Sequence, residues 1–227
     1  MAGGDPGLAL FDLDGTLLPI DSDHAWGEFM ITLGWVDGEG FRRGNDAFYA
    51  QYCAGKLDIH AYIAFATEPL RRQGAAGRVA GRERFMREVI APALRPEARA
   101  LVESHRVRGD RLALVTSTSD FITAPIAAAF AIDALIATRL DCAADGAPTG
   151  RIDGVPAFRE DKVVRVGQWL AASGADWASF ARISVYSDSV NDLSLLEKAT
   201  DPVATNPSPE LDAIARARGW RVLNLFA

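Results

Sequence analysis

The chain has 227 residues, about half of them hydrophobic and a quarter charged, which allows one large domain, or one domain carrying an insert, with a sizeable apolar core. Its formal net charge is −6 and its isoelectric point is about 5.1, which disfavours general binding to the negative backbone of nucleic acid. We expect no membrane-spanning segment, because the longest uncharged run, residues 121–132, is only about a dozen residues long and contains Pro125.

Short and nearly continuous apolar runs predict the strands of the core, at residues 8–12, 111–115, 135–138, 183–186, 202–205 and 221–225. Helical patterns lie between the later runs, at residues 97–108, 121–130, 160–172, 192–199 and 209–218. Apolar strands that alternate with helices are typical of a parallel sheet covered on both faces. The sequence therefore predicts an α/β fold with a Rossmann-like, doubly wound and mostly parallel sheet.

Residues 19–96 interrupt this alternation and show aromatic and apolar residues at helical spacing, without a convincing strand. We interpret them as an inserted all-helical cap, with residues 1–18 and 97–227 forming the core. The aromatic residues Trp26, Phe29 and Trp35 are expected to form the cap's own apolar core.

Three smaller features complete the reading of the chain. The arginines between Arg71 and Arg87 are expected to form a solvated cap surface. Residues 146–154 are rich in turn formers and predict a hairpin or loop. The N-terminal MAGGDPG lacks the regions of a signal peptide, and Cys53 and Cys142 form no metal or redox motif, so we expect reduced, structural thiols in a cytoplasmic protein.

Polar residues follow three of the predicted strands, at the edge where open α/β sheets bind ligands. These residues are Asp12 and Asp14, Thr116 and Ser117, and Asp188, Asn191 and Asp192, with Lys162 at the start of a helix elsewhere in the core. Four carboxylates so close together would repel one another without a cation, and oxygen ligands without a His or Cys cluster favour Mg²⁺. Carboxylates, Mg²⁺, a lysine and hydroxyl donors together suit phosphoryl transfer, in which an aspartate can be the nucleophile.

These segments resemble a known family. FDLDGTL, LVTST, Lys162 and SDSVNDL resemble, in that order, the four motifs of the haloacid dehalogenase superfamily. A helical insert directly after the first motif is similar to the small cap of subfamily IB, which includes phosphoserine phosphatase-like enzymes. The run DSDHAW together with SDSVND also looks like bacterial chains of this subfamily associated with histidinol-phosphate or phosphoserine hydrolysis.

The resemblance implies a catalytic role for four of these residues. Asp12 would attack the phosphorus and form an aspartyl-phosphate, and Asp14 would protonate the leaving alcohol and then activate water. Thr116 would bind the phosphoryl oxygens with help from the backbone amide of Ser117. Lys162 would neutralise charge shared between Asp12 and the phosphoryl group.

It also implies a metal site and a substrate site. Mg²⁺ would be held by Asp12, the backbone carbonyl of Asp14 and Asp188, with Asp192 binding through water or orienting the other ligands. Asn191 would reach the phosphate or the substrate. Asp21 falls where the subfamily often has an acidic residue that meets a substrate ammonium group, and His24 faces either the substrate or its own helix. Ser189 stands where phosphoserine phosphatases usually carry glycine, which weakens that particular assignment.

Each motif has a structural alternative. Asp12 and Asp14 could form only a strand end and turn, Thr116 could close a strand, and Lys162 could begin a solvated helix. Asp188 and Asp192 could be loop and helix N-cap residues. Asp21 and Asp23 are also of the N-cap type.

The expected function is Mg²⁺-dependent hydrolysis of a small phosphorylated metabolite by a monomer or homodimer, without a nucleic acid or membrane partner. An amino-alcohol phosphate such as phosphoserine or histidinol phosphate would suit Asp21. A phosphotransferase or mutase on the same scaffold is the first alternative. A non-catalytic phospholigand-binding protein is the second, and it would be expected to have lost Asp12, Asp14 or Asp188.

Overall fold

The computed structural model describes residues 7–226 of the chain. Its eight strands are β1 (Gly7–Phe11), β2 (Arg111–Ser119), β3 (Ala134–Thr138), β4 (Leu140–Cys142), β5 (Pro148–Ile152), β6 (Arg182–Ser187), β7 (Asp201–Thr205) and β8 (Arg221–Leu223). Six of them form one sheet in the order β3-β2-β1-β6-β7-β8, and every pairing within it is parallel. The predicted α/β fold with a mostly parallel sheet is confirmed. Strands β4 and β5 pair as a separate antiparallel hairpin.

The α-helices of the described residues fall into two groups. Five lie between β1 and the next core helix: α1 (Ser22–Thr32), α2 (Gly38–Cys53), α3 (Ile59–Arg71), α4 (Ala75–Phe85) and the short α5 (Ala91–Ala93). A π-helical segment, Met86–Ile90, joins α4 to α5. The others are α6 (Pro96–Val107), α7 (Asp120–Ala129), α8 (Asp161–Ala171), α9 (Leu193–Leu196) and α10 (Pro209–Arg218).

Local sequence explains several of the element ends. Helix α10 has the predicted bounds, because Ser208 caps its first turn, Pro209 occupies its first position and Gly219 adopts a left-handed φ of 68° beyond its end. Strand β1 is fully buried and ends where Asp12 donates its amide to the Tyr186 carbonyl at 2.9 Å. The chain then turns away from the sheet at Gly15, with a φ of 75°.

Two predicted elements end more than two residues away from where the structure ends them. Strand β2 does not stop at Val115 but continues through the hydroxyl residues to Ser119, which pairs with Thr138 of β3. The helix predicted at residues 192–199 is a 3₁₀ turn, Val190–Asp192, followed by only one turn of α-helix in α9. Both differences lie at the carboxyl edge of the sheet, where β2 extends through its hydroxyl residues and a 3₁₀ turn stands in place of the first helical turn.

The aromatic residues of the insert do not form a separate core. Trp26 is buried, and its ring lies 5.8 Å from that of Trp35 and 5.8 Å from that of Phe121 in the core helix α7. The apolar cluster that contains Trp26 also contains Phe11 of β1. The prediction of an independent cap core is therefore wrong, and the division at residues 19–96 stays a prediction.

The arginines of the insert and the two cysteines also differ from expectation. Arg78 is only 4% exposed and donates to the Asp145 carbonyl, next to the β4–β5 hairpin, at 2.9 Å. Arg82 donates to the Phe121 carbonyl at 3.1 Å, so the solvated-surface interpretation is wrong for these two residues. Cys53 and Cys142 are free, in agreement with reduced thiols, but both are exposed, which argues against the structural role expected of them. Within residues 7–226, no helix is long and apolar enough to cross a membrane.

Candidate active site

Lys162 joins two of the predicted motifs in the centre of the molecule. Its Nζ donates to Asp12 Oδ1 at 2.9 Å and to Asp192 Oδ2 at 2.8 Å. The lysine is 1% exposed, so the alternative of a solvated helix start is wrong. Burial acts to lower its pKa, but Asp12 and Asp192 outweigh burial and raise it, so the ammonium group stays charged.

Asp192 is bound from two sides within this cluster. Besides Lys162, its Oδ2 accepts a hydrogen bond from the Ser187 hydroxyl at 2.8 Å. It forms no side-chain capping bond to α9, so the N-cap alternative is not observed. The Asp192 side chain therefore holds Lys162 against Asp12. The structure thus shows Asp192, which was predicted to bind the metal through water or to orient its ligands, positioning a lysine.

The other oxygen of Asp12 faces Thr16 and Asp188. The Thr16 hydroxyl lies 3.3 Å from Asp12 Oδ2 and 3.2 Å from Asp188 Oδ1, and thus connects the two carboxylates. Gly15 passes so close that a Cβ at this position would lie 2.4 Å from Asp188 Oδ2, at a φ of 75° that already favours glycine. The glycine of FDLDGTL therefore lets the first motif approach Asp188.

Negative charge is poorly compensated between Asp12 and Asp188. Burial raises the pKa of Asp12 to about 7, an effect that Lys162 opposes and Asp192 increases. Burial and the neighbouring Asp12 likewise raise the pKa of Asp188 well above its usual value. A pair of buried carboxylates with all-oxygen surroundings is the donor set that suits Mg²⁺, so these residues fit the predicted cofactor.

Asp14 points away from this pair toward the insert. Its Oδ1 accepts the backbone amide of Ser22 at 2.7 Å, and its Oδ2 accepts the Thr118 hydroxyl at 2.8 Å. Burial, followed by the nearby charge of Asp21, raises the pKa of Asp14 to about 7. The carboxyl group is thus held in one orientation and is able to exchange a proton near neutral pH.

The hydroxyl motif contributes one residue that the sequence analysis did not identify. Thr116 is buried, and its Oγ1 accepts the amide of Thr118 at 3.1 Å. Thr118, not Thr116, donates to Asp14. Ser117 lines the cavity between the sheet and the insert, as does Thr118. The alternation of Thr116 and Thr118 along β2 was the signal that could have indicated a second active-site threonine.

Asn191 has a partner in the insert. Its side-chain amide donates to the Tyr52 carbonyl at 3.3 Å, near the end of α2. Arg159, which adopts a φ of 51°, donates to the Gly55 carbonyl just beyond the same helix. Both core residues therefore donate to backbone carbonyl groups at the C-terminal end of α2 or just beyond it. Contact between Asn191 and the substrate stays a prediction.

Asp21 and His24 lie where the insert begins. Asp21 Oδ1 accepts the His24 amide at 2.7 Å, so the N-cap alternative is correct for Asp21. The His24 ring lies 2.8 Å from Asp46 Oδ1 and 4.9 Å from the Tyr49 ring centre. Both residues also line the cavity described next, and their contact with the substrate stays a prediction.

A cavity lies between the sheet edge and helices α1 to α3, and we name it the cap cavity. Carboxylates of Asp14, Asp21 and Asp23 line it, together with the aromatic side chains of Phe48, Tyr52 and Tyr62. A neighbouring cleft, the entry cleft, is lined by Asp14, Asp21 and Tyr52 and also by Asp188. Asp23, Tyr52 and Tyr62 were not predicted as site residues, because their positions depend on how the inserted helices pack.

Comparison with known proteins agrees with this geometry. A family model described as haloacid dehalogenase-like hydrolase matches residues 9–197, which include the cluster of Asp12, Lys162, Asp188 and Asp192. The chain belongs to this family. The resemblance of the four motifs to haloacid dehalogenases is therefore confirmed.

Individual proteins and solved structures are similar to nearly the whole chain. A histidinol-phosphatase of Neisseria meningitidis serogroup C (strain 8013) is 42% identical over 217 residues, which cover 96% of this chain and 98% of that protein. The crystal structure of a protein of unknown function from Bordetella pertussis Tohama I has a TM-score of 0.93 at 48% identity, covering 98% of this chain and 100% of that one. A substrate-bound phosphoserine phosphatase complex has a TM-score of 0.70 at 18% identity over 97% of this chain and 93% of that one, and shows the same fold. The protein is a phosphatase of this family.

Proposed function

We propose that the protein hydrolyses a small amino-alcohol phosphate with Mg²⁺ as cofactor, through an aspartyl-phosphate on Asp12. The observation that carries this proposal is the placement of the two aspartates of FDLDGTL. Asp12 is bound to buried Lys162, while Asp14 is held by Ser22 and Thr118 at the wall of the cap cavity. One carboxylate thus belongs to the phosphoryl site, and the other reaches the side from which an alcohol must leave.

The chain's own residues can perform both half-reactions. In the first, a carboxylate oxygen of Asp12 bonds to phosphorus, the bond from phosphorus to the alcohol oxygen breaks, and Asp14 gives its proton to that oxygen. In the second, Asp14 takes a proton from water, the water oxygen bonds to phosphorus, and the bond to Asp12 breaks. Lys162 stays protonated throughout and offsets charge on Asp12 and the transferred group.

Asp12, the backbone carbonyl of Asp14 and Asp188 would hold Mg²⁺, as the resemblance implies. When bound, the ion supplies positive charge beside the transferred phosphoryl group. Such charge is needed here because Asp12 and Asp188 would otherwise repel an anionic phosphate. Asp192 acts on the opposite side of Asp12, through Lys162.

The amino-alcohol part of the proposal rests on Asp21. This carboxylate lines both the cap cavity and the entry cleft, and none of the basic side chains in the described residues forms an ion pair with it. A substrate ammonium group would therefore find a free negative partner beside the reaction centre. The 42% identity to a histidinol-phosphatase supports a substrate of this kind.

Phosphate release from a panel of phosphomonoesters tests this function, with Mg²⁺ or with EDTA and with Asp12→Asn as the inactive control. We expect release that needs Mg²⁺, is lost in the variant and equals the alcohol produced. Alcohol release in excess of free phosphate would instead indicate transfer to an acceptor, as in a phosphotransferase. We further propose a cytoplasmic location, which suits a substrate of metabolic size, and cell fractionation would test it.

A further inference from the structure

The cap cavity has an unusual charge balance. Of the described side chains that line it, three are the carboxylates of Asp14, Asp21 and Asp23, and none belongs to a lysine or arginine. Its basic residue, His24, is already paired with Asp46 at 2.8 Å. A ligand that brings a carboxylate into this cavity would meet repulsion and find no free cation, whereas a ligand with positive or hydrogen-donating groups would be stabilised.

Asp21 and Asp23 occupy different depths of this space. Asp21 lines the cap cavity and also the entry cleft, which contains the reaction-centre residue Asp188. Asp23 lines the cap cavity but not the entry cleft. The two carboxylates are therefore placed to meet two different groups of one ligand, the first close to the phosphate and the second farther into the insert.

Asp23 lies beside an aromatic neighbour in the wall of the cap cavity. Burial raises the pKa of Asp23 well above its usual value, and Asp21 and Asp14 add to this effect, whereas the nearby Tyr62 hydroxyl opposes it. Tyr62 is itself only 8% exposed and lines the same cavity. In the described residues Asp23 forms no ion pair, so its remaining hydrogen-bonding capacity is directed to the cavity.

The remaining walls are flat and largely apolar. Phe48, Tyr52 and Tyr62 line the cavity with Leu57 and Ile59 from the α2–α3 connection and the start of α3. Aromatic and aliphatic walls with a few polar groups are typical of sites that hold a planar ring.

We propose that Asp23, positioned by Tyr62, is a specificity-determining residue that binds a ring-borne N–H or cationic group of a carboxylate-free amino-alcohol phosphate. This inference rests on the proposed function and narrows it. Asp21 binds the ammonium group near the phosphate, the aromatic walls bind the faces of the ring, and Asp23 accepts a hydrogen bond from its far edge. Phosphoserine is disfavoured, because its carboxylate would meet no lysine or arginine among the described residues that line the cavity.

Four phosphomonoesters separate these contributions. Histidinol phosphate carries an ammonium group and an imidazole ring, phosphoethanolamine carries only the ammonium group, O-phosphoserine adds a carboxylate, and p-nitrophenyl phosphate has neither amine nor ring N–H. We expect the Mg²⁺-loaded wild type to show the highest kcat/KM with histidinol phosphate and a lower value with phosphoserine than with phosphoethanolamine.

Substitution of Asp23 tests the assigned role directly. Asp23→Asn should lower kcat/KM for histidinol phosphate by about 10- to 100-fold, mainly through KM, the range for loss of a hydrogen bond to a charged group. The same variant should change phosphoethanolamine and p-nitrophenyl phosphate by less than about 2-fold. Tyr62→Phe should act in the same direction with a smaller effect, and serves as the test if Asp23→Asn does not fold. Glu68→Gln, which removes a carboxylate of α3 that does not line the cavity, is the matched control.

Several results would overturn this assignment. Equal losses with phosphoethanolamine and histidinol phosphate would show that Asp23 acts on the site as a whole. Phosphoserine turnover equal to that of histidinol phosphate would remove the charge argument. Both results leave the proposed phosphatase function intact, whereas a folded, Mg²⁺-loaded wild type that releases phosphate from none of the four compounds would overturn that function and this assignment together.

Discussion

The cluster of Asp12, Lys162, Asp188 and Asp192 and the cap cavity are built in different ways, although Asp14, two residues after Asp12, already lines the cavity. In the cluster, Lys162 and Asp192 are buried and bound to fixed partners at 2.7–2.9 Å. In the cavity, Asp21 and Asp23 keep hydrogen-bonding capacity that no basic side chain of the described residues takes up. Side chains whose hydrogen bonds are all made within the protein are held rigidly, which suits a fixed reaction. Side chains with unused hydrogen-bonding capacity favour a ligand that supplies the missing partner.

The origin of the residues matches this difference. The cluster comes from the carboxyl ends of parallel strands and from one core helix, so the sheet itself sets its geometry. The cavity takes its walls mainly from α1, α2 and the start of α3, which pack on the sheet through the cluster around Trp26. Changes in the first region should therefore affect every substrate alike, and changes in the second should affect substrates selectively.

The largest expected effect is that of Asp12→Asn. Loss of the nucleophilic carboxylate should lower kcat by at least about 10³-fold with every phosphomonoester, because no other group can form the covalent intermediate. Single-turnover phosphate release with two unlike substrates measures it. Retention of activity with either substrate would contradict both the nucleophile and the uniform behaviour of the cluster.

Lys162→Met should have the next largest effect and should change both activity and stability. The substitution leaves Asp12 and Asp192 buried without their cation, which costs about 3–5 kcal/mol for a broken buried pair. We expect kcat to fall by about 10²-fold with all substrates, as for loss of one electrostatic contact to the transition state. Thermal melts and rates, compared with Lys198→Met at an exposed position, would check both effects. An unchanged melting temperature would show that the lysine is not needed to hold the cluster.

Asp14→Asn tests the proton transfer to the leaving alcohol, because the Asp14 carboxyl group faces the cap cavity. As a proton donor it should matter for alkyl phosphates, whose alcohol needs a proton to leave, and much less for p-nitrophenyl phosphate. We expect a fall in the rate of phosphoenzyme formation of about 10²-fold for the alkyl ester and under about 10-fold for the nitrophenyl ester. Burst measurements with the two esters would show this, and equal losses would argue against a proton-transfer role.

The raised pKa of Asp14 gives this variant a pH signature. With a pKa raised to about 7, the carboxyl group is largely protonated below neutral pH and loses its proton above it. The first half-reaction with an alkyl phosphate should therefore slow as the pH rises above about 7, and this slope should be absent in Asp14→Asn. The nitrophenyl ester, measured over the same range, is the internal control.

The sequence predicts the first region well and the second poorly, for a physical reason. Strand ends of a parallel sheet meet at one edge, so Asp12, Asp188 and the hydroxyl residues of β2 can be brought together from apolar runs alone. Four short motifs in order were then sufficient to indicate the family and its chemistry. The predicted strands of the sheet all appear, with ends shifted by a few residues.

What the sequence did not indicate depends on packing between distant elements. The burial of Lys162 is one example: the residue follows Arg159, Glu160 and Asp161 and has the local pattern of a solvated helix start, so only its resemblance to a family motif indicated a role, yet it is buried because α8 begins against the sheet edge. Asp23 looked like one of several capping residues, and Tyr62 like an ordinary core aromatic. Their contact depends on how α1 and α3 lie relative to each other, which spacing along either helix does not contain.

A third polar group, remote from the cavity, shows how a saturated network should behave without a ligand. His105 is 1% exposed, with Nδ1 at 2.7 Å from Asp110 Oδ2 and Nε2 at 2.7 Å from the Tyr186 hydroxyl. His105→Gln should lower stability by about 1–3 kcal/mol at pH 7.5, or roughly 2–4 °C of melting temperature per kcal/mol, and leave kcat/KM nearly unchanged. His60→Gln, at an exposed position in α3, is the matched control.

The effect of His105→Gln should also shrink in acid. Burial lowers the pKa of folded His105 below its usual value of 6.5, although the bond to Asp110 opposes this. The unfolded chain therefore binds the proton first, so the stability that neutral His105 contributes is complete above about pH 6.5 and is lost as the pH falls toward the folded pKa. The difference in melting temperature between wild type and variant should thus be smaller at pH 5 than at pH 7.5. A melting-temperature difference that grows in acid would mean that His105 is held protonated in the folded protein. The buried network would then carry charge that its own residues do not balance, as the cap cavity does.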